Sequence, residues 1–174
     1  LKPNSGPHQL VLEGKNRITI SDVLVGEVWV CSGQSNMAFS VTAANDPDLE
    51  SLSANYPGIR IISVPQVGTQ QPQDNFQGSW ETVTPESVKN FSAVGYFFGR
   101  QLHQTLEMPI GLIDNAWGGS ACEAWIPRRV LEEAGQYGEL LEKWDTLAAS
   151  YDHEAEVAKF QERLTAWQVK AKEA

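Results

Sequence analysis

Val28-Trp29-Val30-Cys31-Ser32-Gly33-Gln34-Ser35-Asn36-Met37 is the stretch whose reading decides the fold. Its first four residues form a continuous apolar run, as expected of a strand covered on both faces in a parallel sheet. A polar turn containing a glycine follows at once. Open α/β sheets bind ligands outside the carboxyl ends of their strands. A serine in such a turn is held exposed, where its hydroxyl can attack a carbonyl carbon and neighbouring backbone N–H groups can meet the oxyanion. Gly33 removes a Cβ where substrate and backbone must pass closely. Asn36 and Met37 stand where the nucleophile elbow of an α/β-hydrolase needs its second glycine, so this is not that elbow. On spacing alone, Ser35 is either a nucleophile or a polar turn residue ahead of a helix.

Working outward, two more apolar runs match the first. Ile59-Arg60-Ile61-Ile62-Ser63-Val64 lies between Pro57-Gly58 and Pro65, and Pro109 opens Ile110-Gly111-Leu112-Ile113-Asp114. Between them, apolar residues at 94, 97, 98, 102 and 106 follow the spacing of a helix with one buried face. Residues 66–90, rich in Gln, Pro, Gly and Ser, read as loop. Ahead of the first strand, Gln9-Leu10-Val11-Leu12-Glu13 and Arg17-Ile18-Thr19-Ile20-Ser21 flank the turn residues Gly14-Lys15-Asn16 as a β-hairpin. From Pro127 the pattern is helical, with Leu140, Leu141, Trp144, Leu147 and Tyr151 at intervals of three and four, continued by Val157, Phe160, Leu164 and Trp167. The reading is three parts: 1–22, a hairpin ending a β-rich unit or leading into the main domain; 23–126, the α/β portion; and 127–174, amphipathic helices of the same domain.

Charge follows the same division. The 174 residues carry 22 acidic and 13 basic side chains, a net charge of −9. Residues 121–174 hold 18 of these charges and the longer stretch 1–120 only 17, which fits the solvated face of helices, with i,i+4 pairs such as Glu139–Lys143. The acidic balance argues against nucleic acid, whose recognition draws on clustered Lys and Arg. No stretch approaches the roughly 20 apolar residues of a membrane span. Cys31 and Cys122 belong to no metal-ligand spacing, so no metal is expected. They read as two buried thiols or as a single bridge.

The residues from Asp22 through Val28-Trp29-Val30-Cys31-Ser32-Gly33-Gln34-Ser35-Asn36-Met37 closely resemble the first block of sialate O-acetylesterases, a carbohydrate-esterase branch of the SGNH hydrolase superfamily. The resemblance continues in Ser92-Ala93-Val94-Gly95-Tyr96-Phe97-Phe98-Gly99-Arg100, and from Gly111-Leu112-Ile113 through Trp117-Gly118-Gly119-Ser120 to Glu123-Ala124-Trp125. It implies a three-layer, flavodoxin-like α/β fold with about five parallel strands, incomplete in this chain. It implies acetyl transfer from a sugar to a serine matched by Ser35, with no cofactor and an acetylated carbohydrate as partner. The oxyanion hole would use the backbone N–H of Ser35 together with Gly95 and Asn115. Gly118-Gly119-Ser120 offers competing donors. Gln34, Asn36, Trp117, Gly119 and Glu123 would position the substrate, and Trp125 would help line its pocket. The family also implies an exported setting: periplasmic, extracellular or lysosomal.

A serine nucleophile needs a base, normally a histidine oriented by a carboxylate. His8 precedes the hairpin, and His103 falls on the helical wheel beside Gly99 and Arg100, away from the apolar stripe. His153 lies on a charged helix, and its neighbour Asp152 points in another direction. The base is therefore expected beyond residue 174, or on a second polypeptide supplying the His and Asp. The competing expectation is a non-catalytic carbohydrate-binding or scaffolding module, or an inactive fragment lacking its histidine.

Overall fold

Parallel pairing joins the runs that the sequence marks as strands. The computed structural model describes residues 4–69 and 71–173. The chain divides into two compact units, one ending at Ser120 and the other beginning at Ala121. In the first unit, β3 (Glu27–Gly33) and β4 (Tyr56–Ser63) both run parallel to β6 (Ile110–Ala116), which lies between them. A short β5 (Glu81–Val83) closes the far side antiparallel to β4, giving the order β3-β6-β4-β5. β5 sits inside the stretch read as loop; three residues, Glu81-Thr82-Val83, are too few to show an alternation.

β1 (Asn4–Glu13) and β2 (Arg17–Val25) form the expected hairpin, with Glu13 opposite Arg17. It is a separate two-stranded sheet. The Arg60 guanidinium on β4 holds the Asp22 carboxylate of β2 through both oxygens, at 3.0 and 2.9 Å. Holding both oxygens fixes direction as well as distance.

One helix covers one face of the four-stranded sheet. α2 (Ala93–Leu106) is capped by Ser92, whose Oγ accepts the Gly95 N–H at 3.1 Å. Its buried residues are Ala93, Gly95, Tyr96 and Gly99, whereas Val94 and Phe98 of the anticipated apolar stripe are exposed. The helix is rotated from the expected orientation because its glycines face the sheet. A Cβ on Gly95 would lie 2.8 Å from Cys31 Sγ, and one on Gly99 would lie 2.6 Å from Leu112 Cδ1. Close approach of backbone to sheet leaves no room for side chains there. The core comprises Ile59, Ile61, Ile110 and Leu112 from the strands, Tyr96 from α2, and Val41, Val83, Val88 and Phe91 from β5 and the connections. A short α1 (Pro47–Leu52) precedes β4, and its Glu50 pairs with Arg100 of α2 at 2.6 Å.

β3 departs from the expectation of a strand covered on both faces. Val28 and Val30 are 61% and 62% exposed. β3 is the sheet's edge, and these side chains point away from the α2 face on which Cys31 is buried.

The second unit is helical: α3 (Arg128–Ala134), α4 (Gly138–Ser150) and α5 (His153–Glu173). Pro127 is the N-cap of α3. Among the described residues the ion pairs here are Arg128–Glu132, Arg128–Asp145, Arg129–Glu133 and Glu156–Lys159. The anticipated Glu139–Lys143 pair is not among them; ordering two long exposed side chains for so weak a gain is close to neutral. Trp144, Leu147, Tyr151, Phe160 and Trp167 are exposed.

Candidate active site

Where β3 ends, Gly33 adopts φ +141°, a conformation that side-chain-bearing residues rarely take. The chain then enters a tight turn closed by the Ala38 N–H donating to the Gln34 carbonyl at 2.8 Å. Ser35 is exposed in this turn. Its hydroxyl donates to Gln34 Oε1 at 2.7 Å, and its backbone N–H donates to the same oxygen at 3.1 Å. Residues 32–37 and Val94 wall a cavity of about 490 Å³, a size ordinary for a small-molecule site.

β6 runs beside this turn. Its pairing with β3 runs to Gly33 opposite Ala116 and continues with the Trp117 N–H donating to the Gly33 carbonyl at 3.0 Å. Gly118 follows, and a Cβ placed on it would lie 3.7 Å from Ser35 Cα and 3.9 Å from Ser35 Oγ. Gly119 turns the chain with φ +77° and open space around it. Asn115 sits opposite Ser32 in the register, half-buried, and its side-chain amide has no hydrogen-bond partner among the described residues. Asn36 is exposed beside Ser35, and Trp117 is 38% exposed.

Gly95 lies beneath the turn, against Cys31, with its N–H given to the Ser92 hydroxyl. Glu123 and Trp125 lie in a short 3-10 helix, Cys122–Trp125, of the second unit. Both cysteines are free, Cys31 buried and Cys122 exposed. Burial, reinforced by the negative charge of Asp114, pushes the Cys31 thiol above its ordinary pKa. Asp114 itself is raised by burial, against the opposing effect of the Ala116 N–H, which donates to its carboxylate at 3.2 Å. Among the described residues no group of three or more His, Cys, Asp or Glu converges on a common point.

None of the three histidines is the partner of the Ser35 hydroxyl, which is Gln34. His8 is exposed on β1. His103 is half-buried, not on the exposed side of α2, because the glycine face of that helix is the one turned inward. Its Nδ1 contacts the Met108 carbonyl at 2.7 Å, just before β6 begins and so at the opposite end of the strands from Ser35. His153 opens α5, with Nδ1 3.4 Å from the Tyr151 hydroxyl. Asp152 makes no dyad with it; its carboxylate accepts the Ala155 N–H at 3.1 Å. Sequence reasoning missed Val94 and Met37 as cavity walls, since apolar residues at helical or strand-end positions read as core. Asp114 was visible only as one acid at the end of an apolar strand.

Residues 25–160 match the family model described as "Carbohydrate esterase, sialic acid-specific acetylesterase". Human sialate O-acetylesterase is 39% identical over 127 residues, covering 68% of this chain and 24% of that protein. The rat (Rattus norvegicus) sialate O-acetylesterase is 38% identical over 149 residues, covering 78% of this chain and 27% of that protein. The crystal structure of a carbohydrate acetylesterase from Xanthomonas citri superimposes with a TM-score of 0.68 at 38% identity, covering 74% of this chain and 30% of that one. The chain thus spans about a quarter of the length of the curated relatives it matches. With a serine turn at the end of a parallel strand and a family match over most of its length, the chain belongs to the sialic acid-specific acetylesterase family of carbohydrate esterases.

Proposed function

We propose that this chain carries the nucleophile of a carbohydrate O-acetylesterase that removes acetyl groups from sugars, sialate 9-O-acetyl esters foremost. The observation that carries the reading is the Ser35 hydroxyl, exposed in a cavity beyond a parallel strand, with the side-chain-free Gly118 beside it. In the reaction Ser35 Oγ bonds to the acetyl carbonyl carbon and gives its proton to a base. The carbonyl oxygen takes the negative charge, which the Ser35 N–H, the Asn115 amide and the backbone at residues 118–119 are suited to meet. The carbon–oxygen bond to the sugar breaks, and the sugar oxygen takes the proton. Water repeats the sequence on the acetyl-serine and releases acetate. Gly95 is proposed as a further donor; its N–H is held by the Ser92 hydroxyl as that of Ser35 is held by Gln34 Oε1, so each must let go of its partner to meet the oxyanion. Gln34, Asn36, Gly119 and Trp117 are proposed to position the sugar.

The base and its carboxylate are proposed to come from outside these 174 residues, further along one polypeptide or on a second. The geometry of His8, His103 and His153 supports this. An exported setting is proposed on the family resemblance. Among the described residues no helix is long and apolar enough to cross a membrane.

The test is fluorophosphonate labelling of the full-length protein, with acetate release measured on O-acetylated sialic acid and on acetylated xylan. Labelling and turnover both lost in Ser35→Ala support the esterase. Absence of labelling in the wild type supports a carbohydrate-binding module, and hydrolysis by the 174-residue chain alone would show that the base lies within it.

A further inference from the structure

Gln34 and Ser35 are neighbours in the turn that follows β3, and both line the cavity. The Gln34 side chain bends back over its neighbour. One oxygen, Oε1, accepts the Ser35 hydroxyl at 2.7 Å and the Ser35 N–H at 3.1 Å. An N–H can only donate, so the atom facing it is the oxygen of the amide and not its nitrogen. The turn does not depend on that side chain, because the Ala38 N–H bonds to the Gln34 backbone carbonyl. Gln34 is exposed, and holding an exposed glutamine in one rotamer costs conformational freedom. The two bonds to Ser35 are what keep it folded in.

This oxygen meets the requirements placed on a substrate oxygen. In the attack described above, the acetyl carbonyl oxygen must lie within hydrogen-bond reach of the Ser35 N–H. Its carbon must come to about 3–3.5 Å from Ser35 Oγ. A carbonyl oxygen within reach of both groups is already there, and it belongs to the protein. Two oxygens cannot share that position, so an acetyl ester enters only when Gln34 swings out. A base that takes the hydroxyl's proton competes for one of the two bonds; the N–H bond remains, and the hole stays filled. Once swung out, the amide offers an acceptor and two donors to sugar hydroxyls. A small ester has no hydroxyl to answer them.

We propose that Gln34 is a specificity-determining plug: its side-chain oxygen fills the oxyanion position of the resting site, and the sugar part of the substrate holds it out. The inference rests on the function proposed above. An ester without a sugar meets a site that is open for only a fraction of the time, and its apparent affinity is reduced by that fraction. A sugar ester recovers the loss through the displaced amide, so the plug selects acetylated sugars over other acetyl esters. Discrimination then comes from an internal competitor as well as from contacts with the sugar.

The test compares p-nitrophenyl acetate with O-acetylated sialic acid in the full-length protein. In Gln34→Ala, kcat/KM for p-nitrophenyl acetate is expected to rise about three- to tenfold, the scale of one hydrogen bond released. Fluorophosphonate labelling of Ser35 is expected to quicken with it. For the sialate kcat/KM is expected not to rise, so the preference for the sugar ester shrinks. Gln34→Glu keeps the acceptor and adds a charge, which strengthens such bonds, and is expected to slow both the small ester and the labelling below wild type. Loss of a structural residue or of a sugar contact does not produce opposite signs in the two variants. An unchanged or slower small-ester reaction in Gln34→Ala overturns the plug, as does an equal rise on both esters or a Gln34→Glu variant as fast as Gln34→Ala. A wild type that hydrolyses no acetyl ester overturns the proposed function instead. Amide hydrogen exchange at Ser35, expected to quicken about three- to tenfold in Gln34→Ala, then decides whether the side chain fills the hole, and unchanged exchange overturns it.

Discussion

At the scale of single residues, the ground beneath Ser35 is filled to contact. Gly95→Ala would drive a Cβ to 2.8 Å from Cys31 Sγ and 3.4 Å from Phe91 and Cys31 Cβ. Overpacking of this kind is expected to cost about 1–3 kcal/mol, measured by denaturant unfolding. The thiols offer a second test. Cys122 is exposed and Cys31 is buried, with its thiolate further disfavoured by Asp114. At neutral pH iodoacetamide is expected to modify Cys122 readily and Cys31 only on unfolding, as mass spectrometry would show. Raising the pH should recruit Cys31 only above the ordinary thiol range, because its pKa is raised. Equal rates at both positions would contradict the placement of Cys31. What the sequence made legible here was Ser35, since a polar glycine-bearing turn after an apolar strand is a local pattern. The bond from the Trp117 N–H to the Gly33 carbonyl joins segments far apart in the chain, and no spacing rule reports it.

At the scale of elements, the three parallel strands were legible because each is a short apolar run bounded by Pro, Gly or polar turn residues. The facing of α2 was legible only in part. Hydrophobicity marks Val94, Phe97, Phe98 and Leu102 as the stripe, and Phe97 and Leu102 do pack against the core, but the buried surface of the helix is built from Ala93, Gly95, Tyr96 and Gly99. Glycine contributes by what it lacks, and apolar spacing does not register it. The helix ends on Glu107 at φ 52°, a left-handed position where a side chain costs about 1–2 kcal/mol. Glu107 is exposed, and its side chain makes no hydrogen bond among the described residues. Glu107→Gly is therefore expected to stabilise the first unit by about 0.5–1 kcal/mol after the unfolded-state entropy of glycine is charged against it. A fall in the unfolding midpoint would refute that account of the helix end.

At the scale of the whole molecule, β3 is an uncovered edge. Val28 and Val30 present apolar side chains and β3 has a partner on one side only, the kind of surface on which strands of other copies pair. The 174-residue chain is expected to self-associate, and Val30→Lys to suppress this with little change in stability, as light scattering and thermal unfolding would measure. The acidic surplus was legible as solvated helix faces, and 18 charges in the last 54 residues match a unit of three helices. The parallel order of the sheet has a further consequence in time. Glu27 pairs with Ile110 across nearly the whole first unit, and such distant pairings form slowly because a long loop must close first. During synthesis β3 emerges early and waits unpaired until β6 has left the ribosome. The Ser35 turn can close on its own local bonds, but its support from β6 comes late, and a ribosome stalled before residue 110 holds a nucleophile without that support.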